Sequence, residues 1–439
     1  MPISFFMLAL SPMIKAQEHI LDSIAWVMVS DPDLYPDPSG QRFSKNTQLN
    51  ALFNTHGVVK YSRPMAIARS KRLQSVCEIQ GTGDLAPLYS ALAQAFPNVF
   101  HDFVKHESST DTVLYSPPDY HFYLATQNPG EWQWDLLKTQ ADLAWDITLG
   151  DPNIRLATLD IPIDGTHPDL ASKLVVPYDP YDPSIIFDCT APLSVSPNAR
   201  WHGTAVAGFA AAETAEIGGT PLGRNASAAF KCSLVAYTSW GISDNTFLVK
   251  ALHASTVMGA RTITSCAGAG IRCSVQSSLI PYIEDVMAEI FDNGTCIIYP
   301  AGNGLGGTHC GSQGNWHPFY PFHPMFDERV IIVTATDNND MHQYYTGAGI
   351  EHTYSEFPEV DICAPGYGLL GLVPTNCDAN GWPYGGNSSG VSIGPTSFAS
   401  PIVASICALI ISVEPCLGAE DVQVIIKATA DPVSDATNY

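Results

Sequence analysis

Apolar residues recur along this chain with two periods, and these periods predict its secondary structure. Short apolar runs bounded by turn residues predict strands at residues 24–29, 57–61, 154–159, 233–237, 262–265, 296–299, 330–333 and 360–363. Apolar residues spaced three or four apart predict helices at residues 85–96, 203–212, 244–257, 283–291 and 397–411. Asp84 and Asp244 stand where the N-caps of two of these helices would lie.

The order of these elements divides the chain into two regions. Residues 17–106 predict a small α+β domain, and residues 107–119 are polar and proline-containing, as is typical of a linker. In residues 120–439 apolar strands alternate with helices, which predicts an α/β domain with three layers and a mainly parallel central sheet. Residues 1–16 carry an apolar patch that ends at Ala16, and we interpret them as a signal peptide.

Composition and charge narrow the classes of partner. The 439 residues are 46% hydrophobic, which is enough for a large core, and their net charge is −23. We therefore expect no nucleic-acid partner and no anionic membrane partner. After the N-terminal patch, no apolar run reaches the roughly 18 residues of a membrane span. An acidic surface rich in loops is compatible with structural calcium, but the sequence identifies no metal-ligating residues.

The 11 cysteines are scattered, and none forms a C-x-x-C pair, so the sequence does not support a zinc site. Cys296, Cys363 and Cys407 lie within apolar runs, and we expect them to be small buried hydrophobic residues. Cys310 and Cys377 lie in predicted loops and could pair in an exported protein. The sequence does not give the pairing.

Four polar residues stand at places where the predicted elements would hold reactive groups. Asp160 ends a buried strand, where a carboxylate can orient a histidine, and His202 opens a helix of small residues. Ser397 begins a buried helix, whose N–H groups and dipole favour developing negative charge. Asn303 follows a strand in a glycine-containing turn, from which its amide could donate to an oxyanion. Each residue alone also has an ordinary structural explanation as a cap, a turn residue or a buried histidine.

Together the four residues appear in the order Asp, His, Asn, Ser, and Asp…His…Ser is the order of the subtilisin triad. On these motifs the chain resembles the subtilases, the subtilisin-like serine proteases. The resemblance covers residues 120–439. Its matching stretches are residues 144–150, 157–160, 167–170, 202–208, 300–303, 360–366 and 396–401.

The resemblance implies a serine endopeptidase with a catalytic triad. Ser397 would be the nucleophile, His202 the base and then the acid, and Asp160 the orienting carboxylate. Asn303 and the Ser397 N–H would form the oxyanion hole. The segment that aligns with the family's cleft-lining strand is Cys266, Ala267 and Gly268.

The resemblance has further implications for substrate and maturation. The substrate would be a protein or a peptide, and the enzyme would be secreted as a zymogen. Residues 17–106 resemble the family's propeptide, which acts as an intramolecular inhibitor and is removed on maturation. Family members usually continue beyond the position of Tyr439, which is consistent with a C-terminal truncation of this chain.

Some residues depart from the family pattern and keep an alternative open. Ile161 and Pro162 stand where the family usually has Thr or Ser followed by Gly, and Pro395 replaces the glycine two residues before the nucleophile. Proline fixes φ and removes an N–H, so it changes the local backbone. The alternative is a pseudoprotease that keeps the fold for binding. A third reading is a fragment too short to fold.

Two other motifs resemble those of other hydrolases, and we reject the function that each would indicate. Ser392 lies in a G-x-S-x-G sequence, but α/β-hydrolases place their histidine after the serine, and the last histidine here is His352. We therefore reject an esterase. Residues 239–241 resemble a cleft motif of kexin-like proteases, but they precede the predicted helix that begins at Asp244, and no acidic cluster accompanies the cleft segment. Cleavage after paired basic residues is therefore not predicted.

Overall fold

The computed structural model describes two compact units, Met1–Thr112 and Val113–Tyr439. The described residues are 24–66, 68, 71–105, 133–175, 201–214, 226–238, 244–266, 280–301, 303–304, 329–341, 344–345, 351–353, 360–374, 384–386 and 396–431. Residues 1–16 and 107–119, which we interpret as a signal peptide and a linker, lie outside these ranges, as do Cys310 and Cys377.

The first unit is an antiparallel sheet with helices, in agreement with the predicted small α+β domain. Its strands lie in the order β2-β3-β1-β4. Their bounds are β1 Ile24–Val29, β2 Val58–Ser62, β3 Val76–Gly81 and β4 Phe100–Lys105, and the helices are α1 Thr47–Thr55, α2 Lys71–Gln74 and α3 Ala86–Ala95. Phe53 and Leu88 are among the residues that fill a core of this unit's own. The cap of α3 differs from the prediction, since Leu85 takes the N-cap position and Asp84 accepts from the Ala86 N–H at 3.0 Å.

The second unit contains a six-stranded sheet in the order β13-β10-β8-β7-β5-β6, and every neighbouring pair in it is parallel. Its strands are β5 Arg155–Asp160, β6 Ser233–Thr238, β7 Ala260–Ser265, β8 Cys296–Pro300, β10 Val330–Thr336 and β13 Ile362–Pro365. Two smaller sheets contain β9 Asn303–Gly304, β11 Tyr344–Tyr345, β12 Glu351–Thr353, β14 Leu370–Leu372 and β15 Tyr384–Gly386. The predicted parallel sheet is therefore confirmed.

Helices cover both faces of this sheet, which confirms the three layers. The helices are α4 Trp134–Lys138, α5 Ala141–Ala144, α6 His202–Ala211, α7 Asp244–Thr256, α8 Ile280–Asp292, α9 Thr396–Val413 and α10 Ala419–Thr429. Successive strand residues point to opposite faces. Ile298 belongs to the core cluster that includes residues of α6, α9 and α10, whereas its neighbour Ile297 belongs to the cluster with residues of α7 and α8. Both faces of β8 are thus buried, as its continuous apolar run predicted.

Helix α9 is the central helix of one layer. Within the described residues it is the one helix whose length and hydropathy would allow it to cross a membrane, and 78% of it is buried inside the protein. Burial of this kind is expected of a core helix. Cys407 in this helix and Cys296 in β8 are buried as predicted, whereas Cys363 near the start of the edge strand β13 is only partly buried.

A buried carboxyl group lies in the short helix α4. Burial raises the pKa of Asp135 from 3.8 to about 7, although the backbone N–H groups of residues 135 and 136 favour its charged form. Asp135 lines a small pocket together with Gln133. Within the part of the chain that the structure describes, the Gln133 Oε1 is buried and has no hydrogen-bond partner. The effect of burial thus outweighs these two N–H groups, and the protonated acid is favoured.

We predict that Asp135 makes the protein less stable as the pH rises. The folded state holds this proton more tightly than the unfolded chain, so the free energy of unfolding falls between about pH 4 and about pH 7. At about 1.4 kcal/mol per pKa unit, the loss amounts to a few kcal/mol. The Asp135→Asn variant should match the parent near pH 4 and exceed its stability near pH 8, as measured by urea denaturation across this range.

The control is Asp292→Asn, which removes an exposed carboxylate at the end of α8. This variant should follow the parent at every pH. The prediction would be contradicted if the free energies of unfolding of the parent and of Asp135→Asn differed by the same amount at both ends of the pH range.

Candidate active site

Asp160 occupies the last position of β5, at the carboxyl edge of the parallel sheet, where such folds place their functional groups. Its carboxylate is buried, with 1% of the residue exposed. The Oδ1 atom accepts a hydrogen bond from the Ile161 N–H at 2.7 Å and lies 2.8 Å from the His202 Nδ1. The Oδ2 atom is buried and has no hydrogen-bond partner among the described residues.

His202 is the first residue of α6, and its imidazole is also buried. Because the carboxylate of Asp160 can only accept, Nδ1 carries the hydrogen in this contact. Nε2 of a neutral ring is then left without a proton and can act as a base. The ring lies beside that of Phe398, with 5.9 Å between the ring centroids. This contact holds one side of the imidazole against the first turn of α9.

Gly203 explains how His202 can approach the end of β5. A Cβ atom at this position would lie 2.2 Å from the Ile161 carbonyl oxygen and 3.1 Å from the Ile161 Cγ1. No side chain fits in that space, so helix α6 can begin this close to the strand end only with glycine at position 203. The small residue that follows the histidine in the sequence is therefore required by the packing.

Ser397 is the second residue of α9 and not its N-cap, which removes the simplest structural explanation for this serine. It is buried, with 6% of the residue exposed. Its hydroxyl donates to the carbonyl oxygen of Cys266 at 3.3 Å, just past the end of β7. Within the described part of the chain, the structure records no hydrogen bond between this hydroxyl and the imidazole of His202.

A second contact joins the same strand and helix. The Thr264 Oγ1 lies 2.8 Å from the Ser400 Oγ, and both residues are buried. This pair was not predicted from the sequence. A signal was present, because a polar residue within a predicted buried strand or helix needs a hydrogen-bond partner. The sequence does not identify that partner.

The remaining predicted site residues are described only in part. Asn303 begins the short strand β9 and pairs with Thr353, so its backbone is extended where the sequence predicted a turn. Its side chain lies outside the described part of the structure, as do Ala267 and Gly268. The oxyanion role of Asn303 therefore stays a prediction.

Within the described residues no group of three or more His, Cys, Asp or Glu side chains could hold a metal ion, and structural calcium likewise stays a prediction.

The fold and this site together define a class of protein. A doubly covered parallel sheet presents a carboxylate, an imidazole and, on an adjoining helix, a serine hydroxyl, in the chain order Asp, His, Ser. That combination is typical of subtilisin-like serine peptidases. Comparison with known proteins supports this class: the sequence profile of the subtilase family matches residues 151–438, well over half of the chain. The chain belongs to the subtilase family and is a serine-type peptidase.

Individual relatives agree with this assignment. The chain is 27% identical over 348 residues to the thermophilic serine proteinase of Bacillus sp. (strain AK1), covering 76% of this chain and 72% of that protein. It is 27% identical over 328 residues to thermitase of Thermoactinomyces vulgaris, covering 74% and 95% of the two chains. A solved structure of proteases from Pseudoalteromonas arctica aligns with a TM-score of 0.50 at 21% identity, covering 73% and 94%, and supports the fold alone.

We predict that Gly203→Ala severely reduces activity. The added methyl group would collide with the Ile161 backbone and move His202 away from Asp160. A misplacement of about 1 Å can cost on the order of 100-fold in rate, so kcat/KM should fall by about that factor. The measurement is peptide hydrolysis together with the melting temperature.

The matched control is Gly418→Ala at the start of α10. Its added Cβ would meet its nearest neighbour, the Asp421 Oδ2, at an ordinary 3.8 Å. Normal kcat/KM in a folded Gly203→Ala protein would show that α6 tolerates the methyl group and would refute the packing argument.

Proposed function

We propose that this protein is an endopeptidase that cleaves peptide bonds through an Asp160–His202–Ser397 triad and an acyl-enzyme. The observation that carries the proposal is the buried 2.8 Å contact between the Asp160 Oδ1 and the His202 Nδ1. This contact fixes the tautomer in which Nε2 is free to accept a proton. It also keeps the imidazole beside the first turn of the helix that carries Ser397.

The reaction begins when the Ser397 hydroxyl leaves the Cys266 carbonyl and turns towards His202. This movement is a rotation between staggered positions about one side-chain bond. His202 Nε2 then takes the hydroxyl proton while Oγ forms a bond to the substrate carbonyl carbon. The imidazolium that results lies against the carboxylate of Asp160, which stabilises the positive charge.

The tetrahedral intermediate carries negative charge on the former carbonyl oxygen. The Ser397 N–H, in the first turn of α9, is one donor in the proposed oxyanion hole, and the Asn303 amide is the second. When the intermediate collapses, the peptide C–N bond breaks and the imidazolium gives its proton to the leaving amine. His202 then takes a proton from a water molecule, whose oxygen forms a bond to the acyl carbon. The bond from this carbon to the Ser397 Oγ breaks, and the imidazolium returns the proton to Oγ.

We predict that Ser397→Ala abolishes labelling by a fluorophosphonate probe, because the probe reacts only with an activated serine hydroxyl. His202→Ala should reduce labelling and casein hydrolysis by at least about 1,000-fold, since the base is lost while the nucleophile remains. Ser405→Ala, two turns further along α9, removes another buried hydroxyl and serves as the control for folding.

Equal labelling of the parent and of Ser397→Ala would exclude Ser397 as the nucleophile. A folded parent that hydrolyses no casein and takes up no probe would instead favour the pseudoprotease.

The N-terminal unit is proposed to be a propeptide that inhibits the enzyme until it is removed. Supporting this, Met1–Thr112 forms a compact unit with its own buried core, as a separately removable segment requires.

We propose that the protein is exported, because two of its relatives are named as extracellular enzymes. One from Xanthomonas campestris is named an extracellular protease, and one from Natrialba magadii is named a halolysin-like extracellular serine protease. The substrates would then be proteins or peptides outside the cell.

We predict that the expressed precursor is cut between about His106 and Tyr120, because the family's propeptide ends before the catalytic domain begins. N-terminal sequencing of the mature form locates the cut. The Ser397→Ala precursor should remain intact, since the same nucleophile would perform the cleavage. A precursor that stays uncut while it hydrolyses peptides at full rate would contradict the propeptide assignment.

A further inference from the structure

The geometry points to Thr264 and Ser400 as positioning residues for the nucleophile Ser397. Neither residue would touch the substrate. Their hydroxyl–hydroxyl contact would set the distance between the cleft strand β7 and the first turn of α9. This inference rests on the proposed function, because it assumes that Ser397 performs the chemistry.

The position of the contact in the fold supports this role. The Thr264 Oγ1 and Ser400 Oγ atoms are 2.8 Å apart, and the two residues are 1% and 0% exposed. Ser400 lies three residues after Ser397, and residues three apart share one face of a helix. Thr264 lies two residues before Cys266, and residues two apart share one face of a strand. The contact therefore joins the same strand and helix as the hydrogen bond from Ser397 to the Cys266 carbonyl, which lies just past the end of β7.

The partly buried side chain of Cys266 extends this pair to a cluster of three polar groups. Its Sγ lies 3.4 Å from the Thr264 Oγ1. Burial, followed by the nearby charge of Asp160, raises the pKa of the Cys266 thiol, so the group stays protonated and can donate. Cys266, Thr264 and Ser400 thus form a chain of polar contacts between β7 and the helix that carries Ser397.

Burial makes the arrangement sensitive to small displacements. A buried hydroxyl without a hydrogen bond is unfavourable, and hydrogen bonds weaken steeply outside their normal distance range. A shift of α9 along β7 by about 1 Å would therefore break the Thr264–Ser400 contact. Reaction rates depend on the position of the nucleophile at this same scale. The cluster would keep Ser397 within reach of His202 when its hydroxyl rotates.

A purely structural role is the alternative, and the chain contains a comparable pair to test it. The Ser255 Oγ and the Thr295 Oγ1 are also buried and also 2.8 Å apart. This pair joins α7 to the residue that precedes β8, and neither α7 nor that residue belongs to the candidate site. Loss of a hydroxyl there should lower stability in the same way without moving Ser397.

The test compares Thr264→Val and Ser400→Ala with Ser255→Ala. Each variant is measured for kcat and KM on a peptide substrate, for the rate of fluorophosphonate labelling and for its melting temperature. We expect Thr264→Val and Ser400→Ala to lower kcat and the labelling rate by about 10- to 100-fold. The KM should stay within about twofold, because the contacts with substrate are unchanged. Ser255→Ala should lower the melting temperature by a similar amount and keep the parental kcat.

Thr264→Ser keeps the hydroxyl and should recover most of the kcat, which separates loss of the hydrogen bond from loss of packing. The double variant Thr264→Val/Ser400→Ala should be no slower than the slower single variant, because both changes break one contact. If Thr264→Val does not fold, Ser400→Ala and Thr264→Ser provide the same comparison.

Parental kcat in Ser400→Ala, or an equal fall of kcat in Ser255→Ala, would overturn the inference. If instead the proposed function is wrong, Ser397→Ala and the parent would show equal labelling by the fluorophosphonate probe, and this result does not depend on the Thr264 variants.

Discussion

The structure depends on one electrostatic constraint, which is the burial of a carboxylate at the end of an apolar strand. Asp160 is 1% exposed, and an isolated charge in such a place is strongly unfavourable unless a partner compensates for it. His202 is the partner, at 2.8 Å. The pair can form only if α6 begins against the strand end, and this in turn requires that residue 203 lack a side chain. The space between Gly203 and the Ile161 backbone thus determines whether the buried carboxylate of Asp160 can be stabilised by His202.

Helix α9 couples the hydrophobic core to the site. Val403 and Cys407 belong to the main core cluster between helices and sheet, whereas Phe398 in the first turn packs against the rings of Trp201 and His202. The apolar surface that stabilises the fold therefore also fixes the direction from which Ser397 enters the site. Polar contacts with β7 then refine this position, because hydrogen bonds have narrower distance limits than apolar packing. Core stability and the placement of Ser397 are two results of the same packing.

Sequence reasoning predicted the elements that depend on local residue pattern. The strand that ends at Asp160 and the long helix that carries Ser397 follow from continuous apolar runs and helical spacing, and the parallel sheet follows from their alternation. What could not be predicted are the contacts between distant residues. Asn303 is extended because it pairs with Thr353, and Thr264 meets Ser400 across 136 residues. No local pattern encodes these partners, since each depends on the finished packing of other elements.

Ile161 departs from the family pattern, but the contact that this residue makes with Asp160 comes from its backbone and not from its side chain. The residue after the aspartate contributes its backbone N–H to Oδ1, and any residue except proline can make this contact. The isoleucine side chain is buried, and its Cγ1 approaches the space that a Cβ on Gly203 would fill. The Oδ2 atom of the Asp160 carboxylate has no hydrogen-bond partner among the described residues. With isoleucine at position 161, the carboxylate of Asp160 therefore keeps both its backbone donor and its contact with His202.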